Sequence, residues 1–336
     1  MKRFLVHIHL YYDFLYKELK QCLLNIKDYN EIDLYVTLPK HMEEIENDIK
    51  SSFDNVNIII AENLGYDVAP FVDVLSRVNL EDYSYVIKLH TKRDVPSSAS
   101  RFWFKGAKWR NMLLKFVKTK ENFKRVLDRF ENDRTIGMHG PVTSTFNFIT
   151  DDKIGHKKSN RFIQNNICKN KRYYRFVAGT MFMVKAELLK PIQKLNLKYS
   201  DFDVPDVSHE DCQLAHMLER AFGYLVYSSG YRITDCTISS FMNFMIAFYM
   251  NAIRILHIIT DPFVSIRITK KNKLLVKIIK IPVLAIKLKN NDWYTLLNKG
   301  SFVEPLLNVL TRLTSNLKRV GISNTNQIIN DNLSIL

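Results

Sequence analysis

Residues 56–70 read VNIIIAENLGYDVAP. The run from Val56 to Ala61 is apolar and rich in β-branched residues, the pattern of a buried strand. It passes into the loop ENLGYDVAP, where Gly65 lets the backbone turn at a point a β-carbon would obstruct. Pro70 suits the first turn of a following helix, because it lacks an N–H that would be unsatisfied there anyway. A strand that hands over to a helix through such a loop is the building unit of an α/β fold with a largely parallel sheet. Sheets of that kind bind ligands in the loops beyond the carboxyl ends of their strands.

The same alternation continues on both sides of this stretch. Upstream, Phe4, Val6, Ile8 and Leu10 alternate as a strand, and Leu15, Leu19, Cys22, Leu23 and Ile26 follow helical spacing. Ile32 to Thr37 is a second strand, and Met42, Ile45 and Ile49 mark a second helix. Downstream, Tyr83 to His90 is a fourth strand that ends in the charged loop HTKRD. Helical stretches around Trp103 to Val117 and Glu121 to Phe130 follow, then a short strand at Thr135 to Met138. The segment Ser144 to Arg172 is polar with little periodicity and reads as a long surface excursion of the kind that serves as a lid or acceptor loop. FVAGTMFMVK reads as one apolar strand, with a helix from about Ala186. In SHEDCQLAHMLERAF, Leu214, Met217, Leu218, Ala221 and Phe222 share a helical face, with Ser208 and Asp211 at capping-box spacing.

Composition supports a folded protein: 46% of the 336 residues are hydrophobic and 25% are charged. The cysteines at 22, 168, 212 and 236 are scattered with no CxxC or zinc-type spacing, which reads as free thiols in a reducing compartment. MKRFLVHIHLYYDF begins like a signal peptide, but His7 and His9 interrupt it and no small-residue cleavage site follows, so it reads as the first strand. The net charge of +15 calls for an anionic partner or surface. From residue 236 onward there are 13 Lys and Arg against four Asp and Glu, a net of +9, interleaved with Leu, Val and Ile. Two segments follow: 1–235 as the α/β domain, and 236–336 as a basic, amphipathic, mainly helical tail. The tail suits either an anionic membrane surface or a solvated appendage on the domain. No nucleic-acid recognition module is apparent, so nucleic acid is not an expected partner.

Four groups of residues could carry chemistry. In 62–70, Asp67 could accept hydrogen bonds from a base or ribose, or the loop could simply cap a helix. In KLHTKRD, Lys92 and Arg93 could neutralise a diphosphate, and His90 could be a metal ligand or an ordinary hydrogen-bonded histidine. In HED, 209–211, a carboxylate could act as general base or cap the helix. Trp103, Lys105, Lys108, Trp109 and Arg110 mix aromatic and cationic groups, which suits carbohydrate or phosphate contact and equally a helix with a basic outer face.

Taken in order, VHIHLYY, ENLGYDVAPF, YVIKLHTKRD, WR, FVAGTMF and AHMLER resemble the rhamnan synthesis protein F family of bacterial cell-surface polysaccharide synthesis, over about residues 3–235. A more distant resemblance is to family 2 glycosyltransferases with the GT-A fold. By those resemblances Asp211 would be the base that deprotonates the acceptor hydroxyl, with inversion at the sugar carbon, and Glu210 would orient the acceptor. Asn63, Gly65 and Asp67, with His90, Lys92 and Arg93, would hold the donor, a nucleotide diphosphate sugar such as dTDP-rhamnose. Gly179, Thr180, Trp109 and Arg110 would lie on the side of a glycan or lipid-linked glycan acceptor. The implied location is cytoplasmic, peripheral on the inner face of the plasma membrane.

One departure from the GT-A pattern stands out. The D-x-D that holds a divalent Mg²⁺ or Mn²⁺ ion is absent, and its position reads Leu89, His90, Thr91, Lys92. His90 or Asp94 remains as a candidate metal ligand. The reading preferred is that Lys92, with Arg93, replaces much of the metal's charge. The alternative is a non-catalytic glycan- or nucleotide-sugar-binding protein on the same fold.

Overall fold

A computed structural model describes residues 3–53, 55–92, 106–148, 154–167, 174–205, 213–248, 264–268, 273–278 and 281–287. The chain forms two compact units, Met1–Lys92 with Asn111–Asn243, and Arg93–Arg110 with Phe244–Leu336.

The first unit is a seven-stranded α/β sheet. It begins with β1 (Arg3–His9), α1 (Tyr16–Lys27), β2 (Ile32–Leu38), α2 (Glu46–Ser52), β3 (Val56–Ile60), α3 (Val68–Ser76) and β4 (Tyr83–His90). After α4 (Gly106–Leu114) and α5 (Lys120–Asn132) come β5 (Ile136–His139), β6 (Thr145–Phe148), α6 (Ile154–Asn166), β7 (Tyr174–Val177) and β8 (Phe182–Lys185). The unit continues through α7 (Lys190–Lys194), α8 (Leu214–Ser228) and β9 (Arg232–Thr234).

The strand order is β3-β2-β1-β4-β8-β5-β9. Strands β1 to β4 run parallel, β9 runs parallel to β5, and only β8 is antiparallel to its two neighbours. The chain therefore winds outward from β1 to β3 and then returns, through α3, to place β4 on the other side of β1. That reversal opens a switch point beyond the carboxyl ends of β1 and β4, the location where parallel sheets bind ligands.

Both faces of β1 are buried, because it lies at the centre of the sheet. Phe4 faces α5, meeting Phe123 edge-on at 6.4 Å, while His7 on the opposite face stacks on Phe71 of α3 at 5.5 Å. Phe71, Phe182 and Phe222 form an edge-to-face cluster that binds α3, β8 and α8 into one layer. Helix α8 also approaches β7 through Gly223, where a Cβ would run into the carbonyl oxygen of Arg175 and lie 2.6 Å from the Cα of Phe176.

Several expectations change. The stretch from Ser144 to Arg172 is not an irregular excursion: it contains β6 and α6, and β6 pairs with β7 as a separate hairpin-like ladder. Among the described side chains of α6 only Ser159 and Ile163 are buried, so a largely polar helix hid from the periodicity. FVAGTMFMVK is two strands, since Gly179 (φ 88°) and Thr180 (φ 47°) turn the chain sharply between β7 and β8. Helix α8 begins at Leu214 with Gln213 at its N-cap, beyond Ser208.

The expected boundary at 235/236 falls eight residues before the end of the first unit. Asp235 accepts hydrogen bonds from the Thr237 amide (2.9 Å) and hydroxyl (2.6 Å), and exchanges backbone bonds with the Asn243 side chain. The tail was expected to be mainly helical. Its described part is helical over 240–248, but β10 (Val264–Ile268), β11 (Lys273–Ile278) and β12 (Ile281–Lys287) then form an antiparallel three-stranded sheet. Val264, Ile266 and Ile268 alternate with Ser265 and Arg267, a period of two that overrides the tail's overall helical look.

Gly223→Ala is expected to lower the unfolding free energy by about 1–3 kcal/mol, because backbone rather than a mobile side chain blocks the added methyl. Urea denaturation reads it, and an unchanged midpoint would contradict the close α8–β7 approach.

Candidate functional site

The site is built at the switch point, on the sheet face that α3 and α8 cover. Residues paired across parallel strands point to the same side, and the register sets His7 beside Lys88, and Thr37, His9 and His90 in one row. Lys88 is fully buried, with no side-chain exposure. A buried ammonium needs a partner, and Asp67, 17% exposed at the N-cap of α3, supplies it as an ion pair. The Asp67 side chain makes no cap hydrogen bond, so the loop is not merely a helix start.

The same carboxylate oxygen, Oδ2, also accepts from the Thr180 hydroxyl, and the Lys88 ammonium donates to Thr180 Oγ1 at 3.0 Å. Gly65 and Tyr66 both have φ of 57°, a left-handed pair that swings Asp67 over the strand ends. Gly65 is required there twice over, since its Cβ would also lie 2.5 Å from Phe202 and 2.7 Å from Ala69. Thr180 is held in the left-handed region by its own turn, whose Gly179 amide donates to Glu219 on α8 at 2.8 Å.

His90 closes the cluster. Its Nε2 lies 2.8 Å from the Gly179 carbonyl and so carries the ring proton; its Nδ1 faces the Thr91 carbonyl at 3.1 Å. Thr91 in turn fixes the loop after β1, accepting from the Tyr11 and Tyr12 amides at 2.8 and 3.2 Å. Asn63 donates to the Tyr11 hydroxyl at 3.1 Å on the exposed rim. Deeper, the Thr37 hydroxyl lies 3.0 Å from His7 Nε2 and 3.0 Å from His9 Nδ1, donating to one ring and accepting from the other.

Electrostatics follow from burial. Burial opposes charge on Asp67, but His90, Lys88 and the hydrogen bonds from Lys88 and Thr180 together hold its carboxyl well below the usual range. Burial pulls Lys88 and Lys92 down, while Asp67 and Glu219 pull both back up. Burial lowers His7 well below its ordinary value, His9 to about 3 and His90 to about 4, with Lys88 adding to each shift. The three histidines are therefore neutral near pH 7, and the cluster's charge resides on Asp67, Glu219 and the lysines.

A hard divalent cation does not fit this donor set. Among the described residues, the carboxylate over the β4 end, that of Asp67, is engaged by Lys88 and Thr180, and both His90 nitrogens face carbonyl oxygens. Among the described residues no three His, Cys, Asp or Glu side chains gather as a metal site.

Of the expected site residues, Asn63, Gly65, Asp67, His90, Lys92, Gly179 and Thr180 come together here. Trp109 and Arg110 are half-buried on α4, and residues 93–110 group with the second unit. Arg93, Asp94, Trp103, Lys105, Glu210 and Asp211 lie outside the described residues, as does the Lys108 side chain. Sequence reading missed Lys88, His7, His9, Thr37 and Glu219. Lys88 did leave a signal: a single cation inside the apolar run YVIKLH of a strand expected at the sheet's centre must find a carboxylate.

Sheet order and the strand-end cluster define an α/β protein with a candidate ligand-binding region at the switch point. The chain belongs to the rhamnan synthesis protein F family, whose model matches residues 1–231. Two curated relatives, both described as uncharacterized protein WxcX, come from the B100 and ATCC 33913 strains of Xanthomonas campestris pv. campestris. Each is 27% identical over 175 residues, 52% of this chain but 24% of the relative, so the chain matches about a quarter of their length. Among solved structures, a 4-diphosphocytidyl-2C-methyl-D-erythritol synthase from Anaerococcus prevotii is similar at 14% identity and a TM-score of 0.35, over 74% of this chain and 99% of that one.

Because the native histidines stay neutral while the unfolded ones titrate near 6.5, the unfolded chain binds extra protons below that pH. Stability is expected to fall as pH drops from about 6.5 toward 4, by up to about 1.4 kcal/mol per pH unit for each buried histidine. Urea unfolding at pH 7, 6 and 5 measures the slope; a flat profile would contradict neutral burial of His7, His9 and His90.

Proposed function

We propose that this chain is an inverting glycosyltransferase on a GT-A-like fold, moving a sugar from a nucleotide diphosphate donor to a growing cell-surface polysaccharide. Rhamnose, from dTDP-rhamnose or a similar donor, is the sugar the family's description favours. The observation that supports the reading is the cation-rich cluster at the switch point, where Lys88 and Lys92 stand at the end of β4 and a metal-binding carboxylate pair does not.

In this mechanism Asn63, Gly65 and Asp67 form the donor side, with Asp67 acting through its tie to Lys88. Asp211 takes the proton of the acceptor hydroxyl while Glu210 orients the acceptor. The hydroxyl oxygen then forms its bond to the anomeric carbon as the bond to the diphosphate oxygen breaks, and that electron pair leaves on the diphosphate. Lys92, with Arg93, meets the developing charge; a fixed ammonium in a water-poor site is worth far more than in solution. Gly179 and Thr180, whose turn is pinned by Glu219, present the acceptor side. The acceptor is a glycan or lipid-linked glycan, and the basic tail holds the enzyme to an anionic cytoplasmic membrane face. No helix among the described residues is long and apolar enough to cross a membrane.

A donor screen that measures nucleotide diphosphate release, run with and without a chelator, tests the reading. Release with one donor is expected to persist in chelator. Asp211→Asn should lower turnover by about 100-fold or more with donor affinity little changed, the range for loss of a general base. Donor binding without turnover by the wild type would instead favour the non-catalytic reading, and full activity of Lys92→Ala in chelator would remove the lysine from its assigned role.

A further inference from the structure

Helix 240–248 carries an unusual surface. Phe241, Phe244 and Phe248 are 69%, 64% and 62% exposed, and Met242 and Met245 are also exposed. Phe244 and Phe248 stack on each other at 6.2 Å rather than on a partner element. At about 100° per residue these five side chains occupy one contiguous arc of roughly 160°. Asn243 lies opposite that arc, and its side chain accepts from the Asp235 amide (3.1 Å) and donates to the Asp235 and Ser239 carbonyls (2.7 and 3.2 Å).

The start of the helix is held firmly. Ser239 caps it by accepting from the Met242 amide at 3.2 Å, Arg125 donates to the Thr237 carbonyl at 3.0 Å, and Arg129 donates to the Ser240 hydroxyl at 2.9 Å. The apolar arc therefore faces solvent by construction, and a run of large apolar side chains left in water marks an interaction surface.

We propose that this arc is a lipid-insertion face, through which the chain docks on an anionic bilayer. Charge selects the occupant. Residues 236–253 contain no Asp, Glu, Lys or Arg, so nothing on the helix resists entry into the headgroup boundary. The chain beyond it carries 13 Lys and Arg against four Asp and Glu, a complement to anionic headgroups. Aromatic and methionine side chains on one face, with basic residues in the same segment, are the chemistry of an interfacial helix. The proposal rests on the membrane-facing role given to the tail above, and adds that charge alone is insufficient: the phenyl rings supply the hold that survives salt.

Co-sedimentation of the full chain with vesicles of phosphatidylcholine alone, or mixed with phosphatidylglycerol, tests this. Wild type is expected to bind the anionic vesicles and to retain part of that binding at 0.5 M salt, where screening removes most of the surface attraction. A Phe241→Ser, Phe244→Ser, Phe248→Ser variant should bind about tenfold or more weakly and lose the salt-resistant fraction, with an unchanged thermal midpoint. If Phe244→Ser and Phe248→Ser alone are needed to keep the protein folded, that pair gives the same readout. Binding by the variant equal to wild type would overturn the insertion face while leaving the charged tail's role intact. Failure of wild type to bind either vesicle would overturn both. A dimer of wild type in sedimentation that the variant abolishes, without vesicle binding, would assign the face to a second copy of the chain and overturn the lipid.

Discussion

The ion pair between Lys88 and Asp67 governs the arrangement of everything around it. An ammonium on the central strand β4, fully buried, could not stay charged there without a carboxylate, and the only described carboxylate that reaches it comes from the loop before α3. Meeting that demand dictates local backbone. The loop must pass through two left-handed residues at Gly65 and Tyr66, and the β7–β8 turn must do the same at Gly179 and Thr180 so that the Thr180 hydroxyl can reach the shared oxygen. A pair of this kind adds little net stability, because desolvation offsets its attraction. Its effect is to fix the loop before α3 and the β7–β8 turn on one strand end, and a ligand site needs that rigidity more than it needs free energy.

Much of the fold was legible in sequence because parallel α/β units announce themselves through strand–loop–helix alternation. The first four strands and the loop 62–70 stand where their patterns put them, and the apolar face of α8 is as expected although the helix starts later, at Leu214. The failures have physical causes. Among the side chains of helix α6 that are described, only Ser159 and Ile163 are buried, which leaves little apolar stripe to detect. FVAGTMFMVK conceals a turn because Thr180, a β-branched residue, occupies a left-handed conformation, held by its hydrogen bonds with Asp67 and Lys88 and by the Gly179 amide on Glu219. In the tail, a period of two in 264–268 was masked by the lysines around it.

Asn63, Gly65, Asp67, His90, Lys92, Gly179 and Thr180 do converge, yet Asp67 was expected to face a nucleotide, and instead its oxygen serves a lysine that the sequence reading passed over. His7 and His9 were noticed only as interruptions in an apolar run. The sheet shows why they are tolerated: each finds the Thr37 hydroxyl, and His7 stacks on Phe71, the ring that also lies 5.5 Å from the Lys88 ammonium. Neutral imidazoles flanking a fixed cation and a fixed anion give this strand end a polar floor, in a chain of the rhamnan synthesis protein F family.

The most direct test of this account is a double-mutant cycle between Asp67→Asn and Lys88→Met, read by urea unfolding at pH 7. Each single change should destabilise strongly by stranding the other charge, and the double variant should recover much of the loss, for a coupling of about 2–3 kcal/mol. Strictly additive effects would show that the two residues do not form the tie on which the loop before α3 and the β7–β8 turn depend, and would contradict the account at its centre.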